Sequence, residues 1–484
     1  MYGIIHFSDK VKYGKNKRNL PLYRFIPYFK QVNGPSEKIL IGSKKSHEMI
    51  DYYGIIDSKT YSLNELIGPV NDYSSIKKFI LKINNIKINK EDIEYDKIDL
   101  SPELNSDFIF TIDNETTLDY DDAFSYDFAN KQLYIFITDT TNINIKNINN
   151  LINIYSSFYD YDKTYNLFPE NISHNSHSLI KGHRRNVISM IINLNNGNVQ
   201  FKKQSITVKN NLTYSNADKL LIEDEMWICF KSDIEQFFGN KIIDSHDLIE
   251  KLMIYYNSTF YLNISNNIFP IRTHKGLKCD SDDIKIIQNI NSDLLKKLCY
   301  HSAEYVPSNS DYALHYGLNI NMYMHTTSPL RRVIDHISQK IAFSNCTYNI
   351  EEICEICNQR NKEFKNAYNQ IKLLDLLYEI KDSENRKFNA IITKFSESYL
   401  SIFIPELDIF HKIFFFNNKL KDLINITITD DKVFTIKHIR HEHTLELNLY
   451  QQIEIEAMIT ISESKLCNKV KFYIVNPDIS FILN

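Results

Sequence analysis

The 484-residue chain lacks the features that mark secreted and membrane proteins. No apolar run reaches the length needed to cross a bilayer. The seven cysteines have no regular spacing that would indicate a disulfide framework, and the N-terminus has no charged leader followed by an apolar core. We therefore expect a soluble protein, cytoplasmic or otherwise intracellular, with free thiols and no membrane partner.

Glycine is also scarce, with 11 residues against 31 tyrosines, while asparagine, isoleucine and lysine are abundant. This bias is typical of AT-rich coding sequence and indicates no function. The formal net charge of -4 excludes a chain that is basic throughout, so a polyanion would have to bind a local patch. Residues 1–45, in which lysine and arginine outnumber the acidic residues, are one such patch. A lysine-rich surface without a ligand is the alternative.

Hydrophobic patterns divide the chain into three parts and predict an α+β protein. Residues 1–95 contain short β-type runs between turn residues, which favour a small barrel. Residues 106–380 mix strands and helices and end in a long helical pattern. Residues 386–484 return to short strands, typical of an OB-type barrel, which is a common platform for single-stranded nucleic acid. A purely structural β cap is the alternative for this last part.

Four aspartates stand close together after an apolar strand, at Asp113, Asp119, Asp121 and Asp122. We call residues 113–122 the acidic loop. Its carboxylates repel one another unless positive charge lies among them, and Mg²⁺ prefers such oxygen ligands. An EF-hand is excluded, because the sixth position from Asp113 is not Gly and the twelfth is not Glu. A solvated acidic loop is the remaining alternative.

The pair Cys354 and Cys357 has a spacing that also occurs in zinc sites. It lies within a helical pattern, however, and no second Cys or His pair follows at ligand spacing. We therefore predict two cysteines on one buried face of a helix.

A second chemical stretch, residues 323–332, has the sequence YMHTTSPLRR, and we call it the arginine motif. Pro329 at a first helical turn would leave outward-pointing N–H groups that bind an anion. Arg331 and Arg332 add planar cationic groups suited to phosphate. An acidic metal loop together with a cationic helix start predicts cleavage of phosphodiesters.

Both stretches resemble the signatures of the ribonuclease II (RNB) exoribonucleases, which include ribonuclease R and exosome exonucleases. The family's acidic loop has the form D-x(5)-D-x-D-D, and its second signature is Y-x-H-x-T-S-P-I-R-R. All four aspartates match, and the arginine motif differs from its signature only at Leu330. The resemblance is strong over residues 106–345. At the two ends, residues 9–71 resemble a cold-shock barrel of the family and residues 386–482 its C-terminal OB domain.

The resemblance implies an RNB catalytic domain at 106–380, flanked by a cold-shock-like barrel at 1–95 and an OB-like barrel at 386–484. It implies hydrolysis of single-stranded RNA from the 3′ end, one nucleotide at a time, with release of 5′-monophosphates. Mg²⁺ is the implied cofactor, with Mn²⁺ as the alternative ion.

The resemblance also implies a role for individual residues. Asp113, Asp119 and Asp122 would hold metal. Asp121 and Arg331 would be catalytic, with Arg331 on the scissile phosphate. The implied RNA contacts are Tyr159, for which Tyr161 is the near alternative, and Tyr323, His325, Thr327, Ser328 and Arg332.

Two other functions stay open at this point. An RNA-binding regulator could use the same fold without turnover, and a metal-dependent DNA exonuclease would need the same acids. The chain also departs from the family pattern at Tyr120, which replaces a smaller apolar residue, and at Gln339, where His is usual. Whether the protein works as a monomer or in a larger RNA-decay assembly is not written in the sequence.

Overall fold

The structure, a computed structural model, describes residues 1–9, 13–28, 39–43, 50–87, 94–95, 100–264, 267–290, 294–381, 386–414, 424–430, 432–439, 444–460 and 469–477. The chain divides into two compact units. The first unit comprises Met1–Asn85, Cys279–Cys299 and Glu363–Asn484. The second unit comprises Ile86–Lys278 and Tyr300–Lys362.

The first unit begins with a five-stranded antiparallel sheet of order β3-β2-β1-β4-β5. Alternating residues such as Ile5, Tyr23 and Phe25 fill its core, as expected for strands with one buried face. Asp72 caps the helix that follows by accepting a hydrogen bond from the Ser75 N–H. The elements are β1 (Tyr2–His6), β2 (Leu22–Pro27), β3 (Ile39–Gly42), β4 (Tyr52–Ile56), β5 (Leu63–Pro69) and α1 (Tyr73–Ile83).

The second unit is built on a six-stranded sheet of order β14-β13-β9-β8-β7-β15, in which only the β7–β15 pair is parallel. Its elements are β6 (Glu94–Tyr95), β7 (Ile109–Asp113), β8 (Asp122–Asp127), β9 (Gln132–Thr138), β10 (Ile143–Asn144), α2 (Ile148–Ile154), β11 (Phe158–Tyr159), β12 (Thr164–Tyr165), β13 (Arg184–Asn193), β14 (Val199–Thr207) and β15 (Asn210–Thr213).

Strand β9 is apolar on both faces because it lies in the interior of this sheet. Leu133, Ile135 and Ile137 belong to the large core on one face, and Phe136 belongs to a smaller core on the other. All four side chains are fully buried. Successive side chains of a strand point to opposite faces, so this single strand joins the two cores.

Helices α3 (Tyr214–Glu223), α4 (Glu225–Phe238), α5 (Ser245–Asn263) and α8 (Val333–Ser344) and the start of α9 (Ile350–Lys381) contribute residues to the large core. The other elements of this part of the chain are β16 (Pro270–Thr273), α6 (Ser281–Ile290), α7 (Leu294–Cys299), β17 (Glu304–Pro307), β18 (Leu314–His315) and β19 (Ile320–Asn321). Of these, α6 and α7 belong to the first unit, and α9 begins in the second unit and ends in the first.

The C-terminal residues form a five-stranded antiparallel sheet of order β22-β21-β20-β26-β27 and a separate three-stranded sheet. If the strands of the five-stranded sheet are numbered by their order in the chain, they lie across the sheet in the order third, second, first, fourth and fifth. The N-terminal sheet has the same arrangement. The strands are β20 (Arg386–Phe395), β21 (Tyr399–Ile404), β22 (Ile409–Phe414), β23 (Ile424–Thr429), β24 (Val433–His438), β25 (Thr444–Asn448), β26 (Gln452–Thr460) and β27 (Lys469–Asn476).

The mixed architecture confirms the predicted α+β class. Cys354 and Cys357 are buried in α9, as predicted, and burial raises the pKa of the Cys354 thiol to about 12. Within the described ranges, no helix is long and apolar enough to cross a membrane.

A buried polar contact joins the end of β9 to α8. The backbone N–H and the hydroxyl of Thr140 donate to Gln339 Oε1 at 3.0 and 2.9 Å. Gln339 Nε2 donates to the Thr138 carbonyl at 3.0 Å. All three residues are almost completely buried, so that water cannot replace a lost partner. The glutamine amide both donates and accepts here, which a purely apolar side chain could not do.

We expect Gln339→Ala to lower the free energy of unfolding by about 2–5 kcal/mol, because a buried N–H and a buried carbonyl would each lose a partner at about 1–3 kcal/mol. Urea unfolding followed by tryptophan fluorescence measures the effect. The matched control is Gln200→Ala, at an exposed position of β14, which should change the unfolding free energy by less than about 0.5 kcal/mol. Equal midpoints for the two variants would contradict the assigned role of Gln339.

Candidate active site

The acidic loop connects two neighbouring antiparallel strands and is held at both ends. Asp113 is the last residue of β7, and Asp122 is the first residue of β8. Between them, the Tyr120 N–H donates to Ser178 Oγ at 3.0 Å, and the Tyr120 carbonyl accepts from the Leu179 N–H at 3.0 Å. The loop therefore follows the sheet and the segment around residue 178, rather than extending freely into solvent.

Asp121 connects the acidic loop to the arginine motif. The Leu330 N–H donates to Asp121 Oδ1 at 2.8 Å, across 209 positions of sequence. Arg331 Nε lies 3.4 Å from Asp121 Oδ2. The Asp121 side chain is 4% exposed, whereas that of Arg331 is 45% exposed. The buried Asp121 carboxylate thus lies against Nε of Arg331, whose side chain still reaches solvent.

All four aspartates line one pocket of about 810 Å³, together with Arg331. Three tyrosines contribute to the wall: Tyr159, from β11, Tyr161, from the connection between β11 and β12, and Tyr214, the first residue of α3. The Tyr214 ring stacks on the His246 ring, with centroids 3.5 Å apart and planes 12° apart. The pocket therefore combines acids, one exposed arginine and aromatic rings.

The electrostatics of the pocket favour a cation. Burial, followed by the charge of Asp122, raises the pKa of Asp113 to about 8. Burial also raises the pKa of Asp122 to about 6, although Arg331 opposes the shift. The pKa of Asp121 is raised well above its usual value, again mainly by burial. Arg331 and Lys163 do not compensate the six aspartates that line the pocket, which are the four of the acidic loop, Asp160 and Asp162.

The donor set suits a hard divalent ion such as Mg²⁺, because all of its candidate ligands are carboxylate oxygens. Asp121 Oδ2 is buried and has no hydrogen-bond partner within the structure described, so it adds an unsatisfied acceptor. In that same part of the chain, no three acidic, histidine or cysteine side chains already surround one point. The acids share a pocket without forming a closed coordination cage.

Tyr159 contacts the acidic loop directly. Its hydroxyl donates to Asp119 Oδ2 at 2.6 Å, and the side chain as a whole is 43% exposed. Tyr161, two residues further along the same hairpin, is fully exposed. Of the two tyrosines predicted as RNA contacts, Tyr159 is the one whose hydroxyl binds a predicted metal ligand within the described residues.

Most of the arginine motif is buried and bound to other protein groups. Asn257 of α5 donates to Tyr323 Oη at 3.3 Å and to Thr327 Oγ1 at 3.2 Å. Asn257 Oδ1 also accepts hydrogen bonds from the N–H and the hydroxyl of Thr326. The hydroxyl-bearing residues of the motif are therefore anchored to α5.

Asp335 anchors the other half of the motif. The Ser328 N–H donates to Asp335 Oδ1 at 2.8 Å. Arg332 donates from Nε to Asp335 Oδ2 at 2.9 Å and from Nη2 to Asp335 Oδ1 at 2.8 Å. The guanidinium group of Arg332 thus binds the fully buried carboxylate of Asp335, whereas Arg331 extends into the pocket.

His325 is placed beside Tyr305, with Nδ1 2.8 Å from the tyrosine oxygen. Burial and the nearby charge of Arg332 hold the pKa of His325 well below its usual value, so that the ring is neutral. The structure puts His325 and Tyr323 in edge-to-face contact, with centroids 5.7 Å apart. Neither residue lines the acidic pocket.

The anion site predicted at Pro329 is wrong. Helix α8 begins at Val333, so Pro329 lies in the preceding turn rather than in the first helical turn. The N–H groups of residues 330, 332 and 333 donate to Asp121, Ser328 and Tyr155. Since these donors are taken by the protein, the positive charge offered to a phosphate here is the Arg331 side chain.

Sequence reasoning missed Asn257, Asp335 and Tyr214. Asn257 had a detectable signal, because it is a polar residue among the apolar positions of a core helix and is 3% exposed. Asp335 also had a detectable signal. It follows Arg332 by three positions, a spacing at which an acidic side chain and an arginine contact each other on a helix. Nothing in the local sequence distinguished Tyr214 from the many other tyrosines.

The chain is similar to a known family and to several solved structures. Residues 102–228 match the model of the RNB domain. No curated protein sequence matches the chain. RNase R of Mycoplasma genitalium, in complex with ribose methylated single-stranded RNA, is 15% identical, with a TM-score of 0.64, over 98% of this chain and 100% of that one.

Two further structures are similar. Yeast Ssd1, described as a pseudonuclease, is 14% identical over 98% of this chain and 83% of its own, with a TM-score of 0.66. An active-site mutant of the Dss1 exoribonuclease from Candida glabrata is 15% identical over 78% of this chain and 56% of its own, with a TM-score of 0.54. Residues 102–228 are therefore an RNB domain, and the chain shares its fold with the exoribonuclease RNase R.

Proposed function

We propose that this protein is a metal-dependent exoribonuclease that hydrolyses single-stranded RNA from the 3′ end and releases 5′-monophosphates. One observation carries the proposal. The hydrogen bond from the Leu330 N–H to Asp121 brings the exposed Arg331 guanidinium into the pocket lined by the four aspartates. Phosphodiester cleavage needs both components, a cation held by acids and a positive group for the developing charge on phosphate.

Asp113, Asp119 and Asp122 would hold Mg²⁺, or Mn²⁺ in its place. The bound ion would supply positive charge to the scissile phosphate and to the attacking water. Asp121 keeps Arg331 at the phosphate through its ion pair and is itself the acid on which the chemistry depends. Arg331 stabilises the negative charge that develops on phosphate.

For the RNA strand, we propose that Tyr159 contacts the terminal bases, since stacking on an aromatic ring tolerates any base. Tyr323, His325, Thr327, Ser328 and Arg332 were predicted as RNA contacts. Their burial and their bonds to Asn257 and Asp335 support a different contribution, in which they fix the backbone that carries Arg331.

We also propose the division into parts at residues 1–95, 106–380 and 386–484, with OB-type barrels at both ends. The shared strand arrangement of the two five-stranded sheets supports this proposal. OB-type barrels frequently bind single-stranded nucleic acid. They would deliver RNA to the catalytic domain.

An RNA-binding protein without turnover is the second candidate, because the similarity to the pseudonuclease Ssd1 is as close as that to RNase R. The retained acidic loop and its contact with Arg331 favour the enzyme. A DNA exonuclease is tested by the same assay with a DNA strand of matched sequence. The chemical difference between the two substrates is the ribose 2′-hydroxyl.

We expect wild-type protein with Mg²⁺ to shorten a 5′-labelled unstructured RNA from its 3′ end. The Asp121→Asn variant should cleave this RNA at least about 100-fold more slowly, because the acid and its ion pair with Arg331 are both lost. Gel analysis of the products measures the rate, and fluorescence anisotropy in EDTA measures RNA affinity, which should be unchanged. The control is Asp107→Asn, a fully exposed acid paired with Lys209, which should cleave at the wild-type rate. RNA that stays intact with wild-type protein while being bound would contradict the enzyme and favour the second candidate.

Metal-free protein should lose stability as the pH rises from about 7 to about 8, a range above the titration of the buried histidines, whose pKa values are lowered. The pKa values of Asp113 and Asp122, about 8 and about 6, lie above the value of about 4 in an unfolded chain. The folded state therefore holds protons that the unfolded state releases, and its stability falls as the pH rises through the folded values. Thermal unfolding should show this slope, with Mg²⁺ raising the melting temperature more at pH 8 than at pH 5.

Asp113→Asn should flatten the slope, because one of these carboxyls no longer titrates, whereas Asp107→Asn should keep it. An equal change of melting temperature between pH 7 and pH 8 in wild-type protein and in Asp113→Asn would contradict the charge crowding of the pocket.

A further inference from the structure

Tyr159 is the aromatic residue for which a base-stacking role is expected, but its hydroxyl has a contact that stacking does not need. The hydroxyl donates a hydrogen bond to Asp119 Oδ2 at 2.6 Å. This distance is that of a short, charge-assisted bond between a hydroxyl and a carboxylate. A phenylalanine would offer bases the same ring without making this bond.

Asp119 lies at the exposed side of the acidic loop. Both ends of the loop are fixed by strands, at Asp113 and Asp122, and Asp121 is fixed by the Leu330 N–H. Asp119 is on neither strand, and the neighbouring Leu118 is 57% exposed. Repulsion from the other three carboxylates favours rotation of Asp119 out of the pocket and into water.

The phenol of Tyr159 opposes that rotation. It comes from the β11–β12 hairpin, which is separate in sequence from the acidic loop and packs through the buried residue Phe158. One oxygen of Asp119 is occupied by the phenol, and the other is left for a cation. Groups that hold a metal ligand through a hydrogen bond typically change metal affinity by about 10–100-fold when they are removed.

We propose that Tyr159 is a positioning residue, whose hydroxyl holds the Asp119 carboxylate in the pocket for the divalent cation while its ring faces the RNA. The inference rests on the proposed function, because it takes Asp119 as a metal ligand. It goes beyond that function in assigning two separable roles to one side chain, the hydroxyl for metal and the ring for RNA. The same residue then links occupancy of the metal site to the strand being cleaved.

The test uses direct binding to the full-length protein, so that it does not depend on turnover. Mn²⁺ serves as the metal probe, followed by electron paramagnetic resonance of the free ion, with Mg²⁺ as competitor. A 5′-labelled unstructured RNA in EDTA serves as the second probe, followed by anisotropy. The variants are Tyr159→Phe, Tyr159→Ala and, as a matched control, Tyr161→Phe, which removes a fully exposed hydroxyl from the same hairpin.

We expect Tyr159→Phe to weaken Mn²⁺ binding by about 10–100-fold with unchanged RNA affinity, since it keeps the ring. Tyr159→Ala should weaken both, and Tyr161→Phe neither. Wild-type Mn²⁺ affinity in Tyr159→Phe would overturn the inference and leave the proposed metal site intact. A wild-type protein that binds no Mn²⁺ in this pocket would instead overturn the metal site itself, and this inference with it. Loss of RNA affinity in Tyr159→Phe would also overturn it, because the two roles would not be separable.

Discussion

The candidate site depends on one buried carboxylate. Asp121 receives the Leu330 N–H on one oxygen and faces Arg331 with the other, so that the acidic loop and the arginine motif meet across the fold. A buried charge is costly unless hydrogen bonds and opposite charge compensate it, and Asp121 is only partly compensated. Its pKa is accordingly raised well above the usual value. The negative charge that is left uncompensated favours a cation in the pocket, where a phosphate would also bind.

The arginine motif is presented by a framework that does not itself reach the pocket. Asn257 holds the hydroxyl residues of the motif, and Asp335 holds Ser328 and Arg332. The contacts of Asn257 and the bond from Ser328 to Asp335 are buried, and those of Arg332 are partly buried, so competition from water is small. Two adjacent arginines thereby acquire different tasks. Arg332 fixes the backbone through a bidentate ion pair, and Arg331 extends into the pocket beside Asp121.

The same pocket is a point of local instability. Six aspartates line its wall, four of them in the acidic loop, and in the described structure no three such groups already enclose one point. Without a cation, their repulsion opposes the folded state, as is common where a site is arranged for binding rather than for stability. The interior strand β9 and the Thr140–Gln339 contact lie behind the acids, and they supply the rigid support that such a crowded loop requires.

Hydrophobic periodicity in the sequence was sufficient for the main elements. The apolar strand before the acidic loop and the long helical pattern that ends the part at residues 106–380 were predicted and correspond to β7 and α9, because their apolar residues recur at the spacing of those structures. The spacing of the four aspartates and the two arginines was also enough to predict a phosphodiester-cleaving chemistry and to recognise the RNB domain, since the type and order of charged groups are themselves properties of the sequence.

Only the tertiary structure decided which of these groups face a ligand. Arg331 and Arg332 are adjacent and chemically identical, yet their roles differ because Asp335 lies on the next helix and Asp121 lies on a loop 210 positions earlier than Arg331. Pro329 was expected to begin a helix with free N–H groups, but those groups are used by acceptors distant in sequence. Tyr214 and the bond from Tyr159 to Asp119 were likewise absent from the local pattern. Periodicity encodes which side of an element is buried, whereas hydrogen-bond pairing between segments depends on where the fold places them.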